Sequence, residues 1–216
     1  MKTRSIIMIS SFFLLIPVMG FAQVPKTEKV NKHSLFTESN ATKWEYVIKD
    51  KTLNPSEVFK MEAGVLHITG ISSGYLRTKK TYSNFSMKVK WRWTKSLGNS
   101  GVLVYIQPKD AIWPVCYQVQ QKTNDAGDII CMNGLWAKEC TDSVKFTVKK
   151  FQSTNEKPLG IWNNMHIICK NNTLKVFVNG ELQNYITGLT VKKGYIGFQN
   201  EGVPVEFRDL VISRLW

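Results

Sequence analysis

The chain has 216 residues, a formal net charge of +13 and 43% hydrophobic residues. This length and hydrophobic fraction allow one domain with a sizeable core and exclude a disordered chain. The lysines are scattered at turn-like positions and are not gathered on one element, so the positive charge predicts no nucleic-acid partner. It is better explained by solubility or by attraction to an acidic surface.

Residues 1–22 have the pattern of a secretory signal peptide. Lys2 and Arg4 precede an apolar run over residues 6–19, and small residues follow before Gln23. The alternative, a membrane anchor, calls for a longer apolar run. We therefore expect export to the periplasm or the exterior and no membrane insertion after cleavage. A lead-in over residues 23–34 and one domain over residues 35–216 would then remain.

Short runs with strand character fill the expected domain, and no window predicts a helix of useful length. The longest run, residues 85–93, alternates strictly, as a half-buried strand does. Residues 144–151 alternate in the same way, with Val144 and Phe146 expected inward, and Trp162 is expected in the core. Many short strands separated by turn residues predict an all-β sandwich or barrel. The runs are 44–48, 58–61, 65–69, 75–78, 85–93, 102–106, 115–120, 129–133, 144–151, 162–170, 173–178, 194–200 and 205–215.

Residues 113–128 contain an unusual strand. Tyr117 and Val119 share one face, and Gln118 and Gln120 share the other. Two amides on a central strand are poor core material, because each needs hydrogen-bond partners once it is buried. The pattern therefore predicts the floor of a polar groove that could bind sugar.

The cysteines and histidines show no metal-binding spacing, so the sequence predicts neither a metal nor a cofactor. Carboxylate and amide oxygens of Asp128, Glu201 and Gln120 would suit Ca²⁺, but no dense acidic loop accompanies them. Cys131 and Cys140 flank a glycine-containing loop and are the favoured pair if a disulfide forms in an exported protein.

Several phrases, in this order and spacing, resemble the 3-keto-disaccharide hydrolase family over residues 35–216. The resemblance implies a concanavalin A-like jelly-roll sandwich of two antiparallel sheets, export, and a glycan substrate oxidised to a ketone at sugar C3. The phrases include Gly74-Tyr75-Leu76-Arg77-Thr78, Trp91-Arg92-Trp93, Asn99-Ser100-Gly101, Ala126-Gly127-Asp128 and Gly197-Phe198-Gln199-Asn200-Glu201-Gly202.

The chain departs from this family at the central strand. Where relatives carry Glu-x-Gln, it has Gln118-Val119-Gln120. A glutamine keeps the shape of glutamate but cannot ionise. The departure leaves three readings open: a hydrolase that works by elimination and hydration, a carbohydrate-binding module, and a surface interaction domain.

A 3-keto-glycoside needs one base, one proton donor and a group that polarises the ketone. The resemblance marks Asp128 as the first candidate base, and Glu201 follows, in line with Gln199 at spacing two. The alternatives are a turn aspartate and a loop glutamate at a strand end. The expected substrate-binding residues are Gln118, Gln120, Arg77, Asn99, Trp113 and Gln199.

Overall fold

The structure is a computed structural model that describes residues 35–216. The predicted signal peptide and the lead-in segment lie outside these residues. The described part contains a 3₁₀ helix, Glu38–Lys43, and a four-residue helix, α1 (Pro55–Val58). The strands are β1 (Trp44–Ile48), β2 (Phe59–Glu62), β3 (Val65–Ile68), β4 (Gly74–Thr78), β5 (Phe85–Trp93), β6 (Gly101–Ile106), β7 (Tyr117–Gln120), β8 (Ile129–Cys131), β9 (Thr147–Val148), β10 (Asn163–Lys170), β11 (Thr173–Val178), β12 (Glu181–Thr187), β13 (Tyr195–Asn200) and β14 (Val205–Arg214).

The strands form two antiparallel sheets of seven strands each, which confirms the predicted sandwich. The first sheet has the order β1-β4-β13-β6-β7-β8-β9. The second has the order β12-β11-β10-β5-β14-β3-β2. Sequence neighbours β10, β11 and β12 pair as hairpins, whereas β5 pairs with the distant strand β14.

The core lies between the sheets and follows the alternation read from the sequence. On β5, Phe85, Met87, Val89, Trp91 and Trp93 are all buried, and the residues between them are partly or fully exposed. Complete burial of a large apolar side chain contributes about 1.5–3 kcal/mol, so this face is a main source of stability.

A second, smaller apolar cluster lies on the side of the first sheet that faces away from the second sheet, here called the outer face. It contains Tyr75, Leu103 and Ile106, and Ile112 packs on it from the segment 107–116 that joins β6 to β7. This segment therefore covers part of the outer face. The polar residues of β7 lie on the same face beyond it.

The predictions were wrong at two places along the edges of the sandwich. Only Thr147–Val148 of the run 144–151 forms a strand, and Val144 is 82% exposed. Phe146 has a φ of 52°, which breaks the extended backbone that the alternation required. Strand β12 was not predicted, because its polar residues hide its strand character.

The surroundings of Trp162 also differ from expectation. Trp162 is only partly buried, and the guanidinium carbons of Arg92 and Arg208 lie 4.5 and 4.2 Å from its ring centroid. Two cations near an aromatic ring explain why this tryptophan remains at the surface. Glu206 pairs with Arg92 at 2.7 Å and with His67 at 3.0 Å.

The four cysteines are all buried free thiols in the structure, so the favoured Cys131–Cys140 disulfide is not formed. Burial raises the pKa of the Cys131 thiol, and the neighbouring Cys140 adds to that effect. A buried thiol with a raised pKa is a weak nucleophile, which accords with a packing role.

Candidate functional site

Strand register gathers the polar residues of the outer face into one row. Gly101 is paired with Gln120, and Tyr75 is paired with Gln199. The pairing of Phe198 with Val102 places Gln199 opposite Gly101. Tyr75, Gln199, Gly101 and Gln120 therefore lie side by side on β4, β13, β6 and β7. The glutamines of β7 therefore share a face with Gln199.

Three buried amides form a directed chain of hydrogen bonds. The Oε1 atom of Gln120 accepts from the backbone N–H groups of Gln121 and Lys122, at 3.1 and 3.2 Å. These bonds fix which end of the Gln120 amide is the oxygen, a choice that heavy atoms alone leave open. The Nε2 atom of Gln118 must then face that oxygen, and it donates to Gln120 Oε1 and Gln199 Oε1 at 3.1 and 3.0 Å.

This chain leaves specific groups for a ligand. Both hydrogens of Gln118 Nε2 are used, so Gln118 offers only its carbonyl oxygen. Gln120 and Gln199 offer their amino groups, which have no hydrogen-bond partner within residues 35–216. Gln118, Gln120 and Gln199, here called the amide row, thus present two amino-group donors and one acceptor on nearly buried side chains. A sugar hydroxyl group can use both kinds of partner, and a carbonyl group can accept from the donors.

Gly101 makes room for the amide of Gln118. A Cβ atom at position 101 would lie 2.8 Å from both Cγ and Nε2 of Gln118. The glycine therefore allows the Gln118 side chain to cross over β6 toward Gln199.

Glu201 extends the same face beyond the amide row. Asn99 and Glu201 form an isolated antiparallel bridge. It lies two residues along each segment from the pair Gly101 and Gln199, and therefore on the same face. Burial raises the pKa of the Glu201 carboxyl, and a hydrogen bond from the Asn99 side chain partly opposes this shift. A carboxyl with a raised pKa beside hydrogen-bonding groups is typical of a proton-transfer site. The structure thus brings Asn99, Gln199 and Glu201 together.

Asp128 lies at the other end of the row, opposite Gln120. Its Oδ2 accepts from Lys149 Nζ at 2.7 Å, and its Oδ1 accepts from the Lys150 backbone N–H at 2.9 Å. The residue is 2% exposed. Both carboxylate oxygens thus already hold β9 against β8, which favours a structural role for Asp128. Its predicted role as a base stays a prediction.

Arg77 is engaged in a cluster of its own on β4. It donates to both oxygens of Asp110 at 2.9 Å and contacts Glu45 at 3.2 Å. The Tyr75 hydroxyl donates to the same aspartate at 3.2 Å. The Arg77 guanidinium holds the pKa of the Asp110 carboxyl below its usual range. Arg77 therefore anchors the segment 107–116, and a direct contact with a sugar stays a prediction.

Trp113 lies in that segment and is 44% exposed. Its backbone oxygen accepts from Asn133 Nδ2 at 2.7 Å, so the segment 107–116 is joined there to the chain that follows β8. The exposed ring is available for stacking, and its predicted contact with a sugar stays a prediction.

Two contributors to this face were missed in the sequence. Asp110 gave no signal, because its role depends on the path of the segment across the outer face. Tyr195 carries the Arg77 guanidinium 4.2 Å from its ring centroid. Its place in the alternation Tyr195, Gly197, Gln199 was the signal that it lies on the same face.

Residues 35–216 contain no group of three histidine, cysteine or acidic side chains that could hold a metal ion. Within the same residues, no helix has the length and apolarity needed to cross a membrane.

The sequence matches a family model described as the 3-keto-alpha-glucoside-1,2-lyase-like domain, over residues 31–213. The chain therefore belongs to this family, which gives it a carbohydrate-active class and confirms the resemblance. No curated protein matches the chain in sequence.

Solved structures with the same fold come from several kinds of carbohydrate protein. A candidate glycosyl hydrolase from Parabacteroides distasonis is 21% identical, with 81% of this chain and 89% of that chain covered and a TM-score of 0.60. The β-glucanase of Bacillus licheniformis is 14% identical, with 85% and 97% covered and a TM-score of 0.59. The carbohydrate-binding module CBM66 from Bacillus subtilis is 10% identical, with 79% and 95% covered and a TM-score of 0.56. At these identities the likeness shows the jelly-roll fold alone.

Proposed function

We propose that the outer face of the first sheet binds a 3-keto-glycoside and that Glu201 removes the proton from sugar C2. Membership of the domain family supports the substrate class. The observation that carries the proposal is the position of Glu201. Its carboxyl has a raised pKa and lies next to amides that offer two donors and one acceptor.

The chemistry needs only one base because the ketone does much of the work. A carbonyl at C3 acidifies the C2–H bond, and the Glu201 carboxylate takes that proton while an enolate forms across C2 and C3. The C1–O bond then breaks, and the leaving oxygen takes a proton. Glu201 can supply it, because C1 is adjacent to C2. Addition of water across C1 and C2 completes hydrolysis.

In this proposal, the amino groups of Gln120 and Gln199 polarise the ketone oxygen. They are nearly buried and already oriented by the Gln118 bridge, so little reorganisation is needed when negative charge develops on that oxygen. A preorganised donor of this kind contributes about 2.7–4 kcal/mol to the stabilisation of a transition state.

The proposal is tested by incubating the purified mature protein with 3-keto-glucosides and with the matching plain disaccharides. We expect the aglycone to be released only from the 3-keto compounds. Glu201→Gln should lower the rate at least tenfold, about 1.4 kcal/mol of barrier. Glu62→Gln, an exposed glutamate on β2, is the matched control. An unchanged rate in Glu201→Gln would remove this residue from the mechanism.

A second candidate function is a non-catalytic carbohydrate-binding module. The observation that favours it is Gln118, an amide at the position where relatives in the family carry glutamate. Tight binding of plain glycans, without cleavage of either substrate panel, would establish this function in place of the first.

We also propose that the protein is exported to the periplasm or beyond the cell. The signal-like residues 1–22 support this. A mature protein from the producing cell whose first residue is near Gln23 is expected. An intact Met1 on the cell-derived protein would contradict export by this route.

A further inference from the structure

Two adjoining cavities lie beside the seam of the sandwich, away from the amide row. Their volumes are about 540 and 460 Å³, and they share Leu35, Lys80 and Tyr82. Tyr82 is bridged to Gly194, directly before β13 begins, whereas Glu201 follows the end of that strand. Seven extended residues span roughly 23 Å, so the two regions are separate surfaces.

All the charged side chains that line these two cavities are basic, and we call the combined surface the basic groove. None of them forms an ion pair with a carboxylate of residues 35–216. Some cations outside the groove are paired, as Lys90 is with Asp209 and Arg92 with Glu206. Unpaired cations gathered on one concave surface attract an anion. The basic side chains are Lys43, Lys79, Lys80, Lys193 and Arg214.

The other lining residues suit a sugar. The ring of Tyr82 lies 5.8 Å from Lys80 Nζ, and Thr81, Ser83 and Asn84 supply hydroxyl and amide groups nearby. An aromatic face complements the C–H face of a pyranose, and a lysine beside it can meet an acidic substituent of the same sugar.

We propose that the basic groove binds an acidic polysaccharide, one that carries carboxylate or sulfate groups, and so attaches the protein to its glycan. The chain belongs to a carbohydrate-active domain family, which favours a polysaccharide over other polyanions. None of the groove's apolar lining residues is exposed enough to enter a bilayer: Leu35, Tyr82 and Ile212 are partly buried and Trp44 is 3% exposed. This proposal does not depend on catalysis at Glu201.

The experiment compares ligands of equal length by calorimetry with the full mature protein. The probes are a sulfated heparin-type oligosaccharide, an oligouronate and a neutral gluco-oligosaccharide. We expect both acidic probes, or one of them, to bind and the neutral probe to bind at least about tenfold more weakly. The preference between the two acidic probes identifies the acidic group. Equal affinity for all three probes would overturn the proposal.

Paired variants separate the groove from the net charge. Lys43→Glu, Lys79→Glu and Lys80→Glu together should weaken binding about tenfold or more, since three exposed charge contacts are lost and reversed. The control changes Lys95, Lys138 and Lys145 to glutamate; all three are exposed and lie outside the groove. Equal weakening in the control would overturn the proposal, as would tighter binding to duplex DNA or to anionic phospholipid vesicles. Circular dichroism of both variants verifies the fold.

Discussion

Asp110 holds Arg77 through two hydrogen bonds, from Nε to Oδ1 and from Nη2 to Oδ2, each 2.9 Å long. The aspartate lies in the segment 107–116 and the arginine on β4, so the pair fastens that segment across the outer face of the first sheet. Because two parallel hydrogen bonds join the planar guanidinium to the carboxylate, they fix the orientation of Asp110 as well as its distance from Arg77.

Asp110→Asn should destabilise the protein because Arg77, whose side chain is 9% exposed, loses its bidentate partner and keeps Glu45 as its remaining acidic partner. We expect the free energy of unfolding to fall by about 1–2 kcal/mol, a value reduced for the partial exposure of Asp110. Urea denaturation at neutral pH measures it, with Asp50→Asn, an exposed aspartate, as control.

The sign of the pH dependence follows from the lowered pKa of Asp110. The stabilisation by the charged pair is present above the ordinary carboxyl pKa and is lost as the pH falls through the lowered one. The difference between wild type and Asp110→Asn should therefore shrink in acid. A difference that stays constant down to acid pH would contradict the role of this ion pair.

Glu201 should set the acid limb of the pH–rate profile. Its carboxylate form is the base, and burial raises its pKa, so activity should be lost on acidification at a pH above the ordinary carboxyl range. Asn99→Ala removes the hydrogen bond that lowers this pKa, so the acid limb should move to higher pH. The measurement is kcat/KM for a 3-keto-glucoside from acid to neutral pH. An acid limb in the same place in both proteins would exclude the Asn99–Glu201 coupling.

Gln118→Glu tests the departure at the central strand. Gln120 Oε1 is held by two backbone N–H groups, so a carboxylate at position 118 would face an oxygen that cannot turn away. The new carboxyl should therefore have a raised pKa and donate its proton to Gln120. We expect a gain in cleavage of at least about tenfold if position 118 is the missing proton donor. A variant that folds and is no faster would show that Gln118 acts by binding.

The sequence predicted most of the sandwich because alternation is a local signal. Residues 85–93 were predicted as β5 with the same boundaries, and Gln118 and Gln120 were placed together on a polar face. The position of Gln199 beside that face depends on the register of β13, β6 and β7. Alternation along a single strand does not give that register.

What the sequence did not predict depends on the course of irregular segments. Asp110 reaches Arg77 only because residues 107–116 turn back over the sheet, and nothing in their residue types fixes that path. The alternation of Val144 and Phe146 predicted a strand that does not form there, because a positive φ at Phe146 breaks the extended backbone. Partners such as Lys149 for Asp128 likewise become visible only when β8 and β9 are paired.

Asp128→Asn distinguishes a structural carboxylate from a base. Asparagine keeps an oxygen for the Lys150 N–H group but loses the charge that holds Lys149. We expect a loss of about 1 kcal/mol in unfolding free energy and a change of less than about threefold in kcat/KM. Thermal unfolding and single-substrate kinetics give both numbers. A much larger rate loss, with normal stability, would instead support the role of Asp128 as the base.

Gly101→Ala probes the amide row without removing any of its polar groups. The backbone at Gly101 is not in the left-handed region, so alanine meets no conformational strain there. Its Cβ would lie 2.8 Å from both Cγ and Nε2 of Gln118, so that buried side chain must shift. We therefore expect stability to fall by about 1–3 kcal/mol, while affinity for a glycan ligand falls because the bridge from Gln118 to Gln199 is broken. Calorimetric titration and urea denaturation, with Gln118→Ala as the comparison, measure both quantities. If Gln118→Ala weakens binding but Gly101→Ala does not, Gln118 binds the ligand directly and its bridge to Gln199 has no part in recognition.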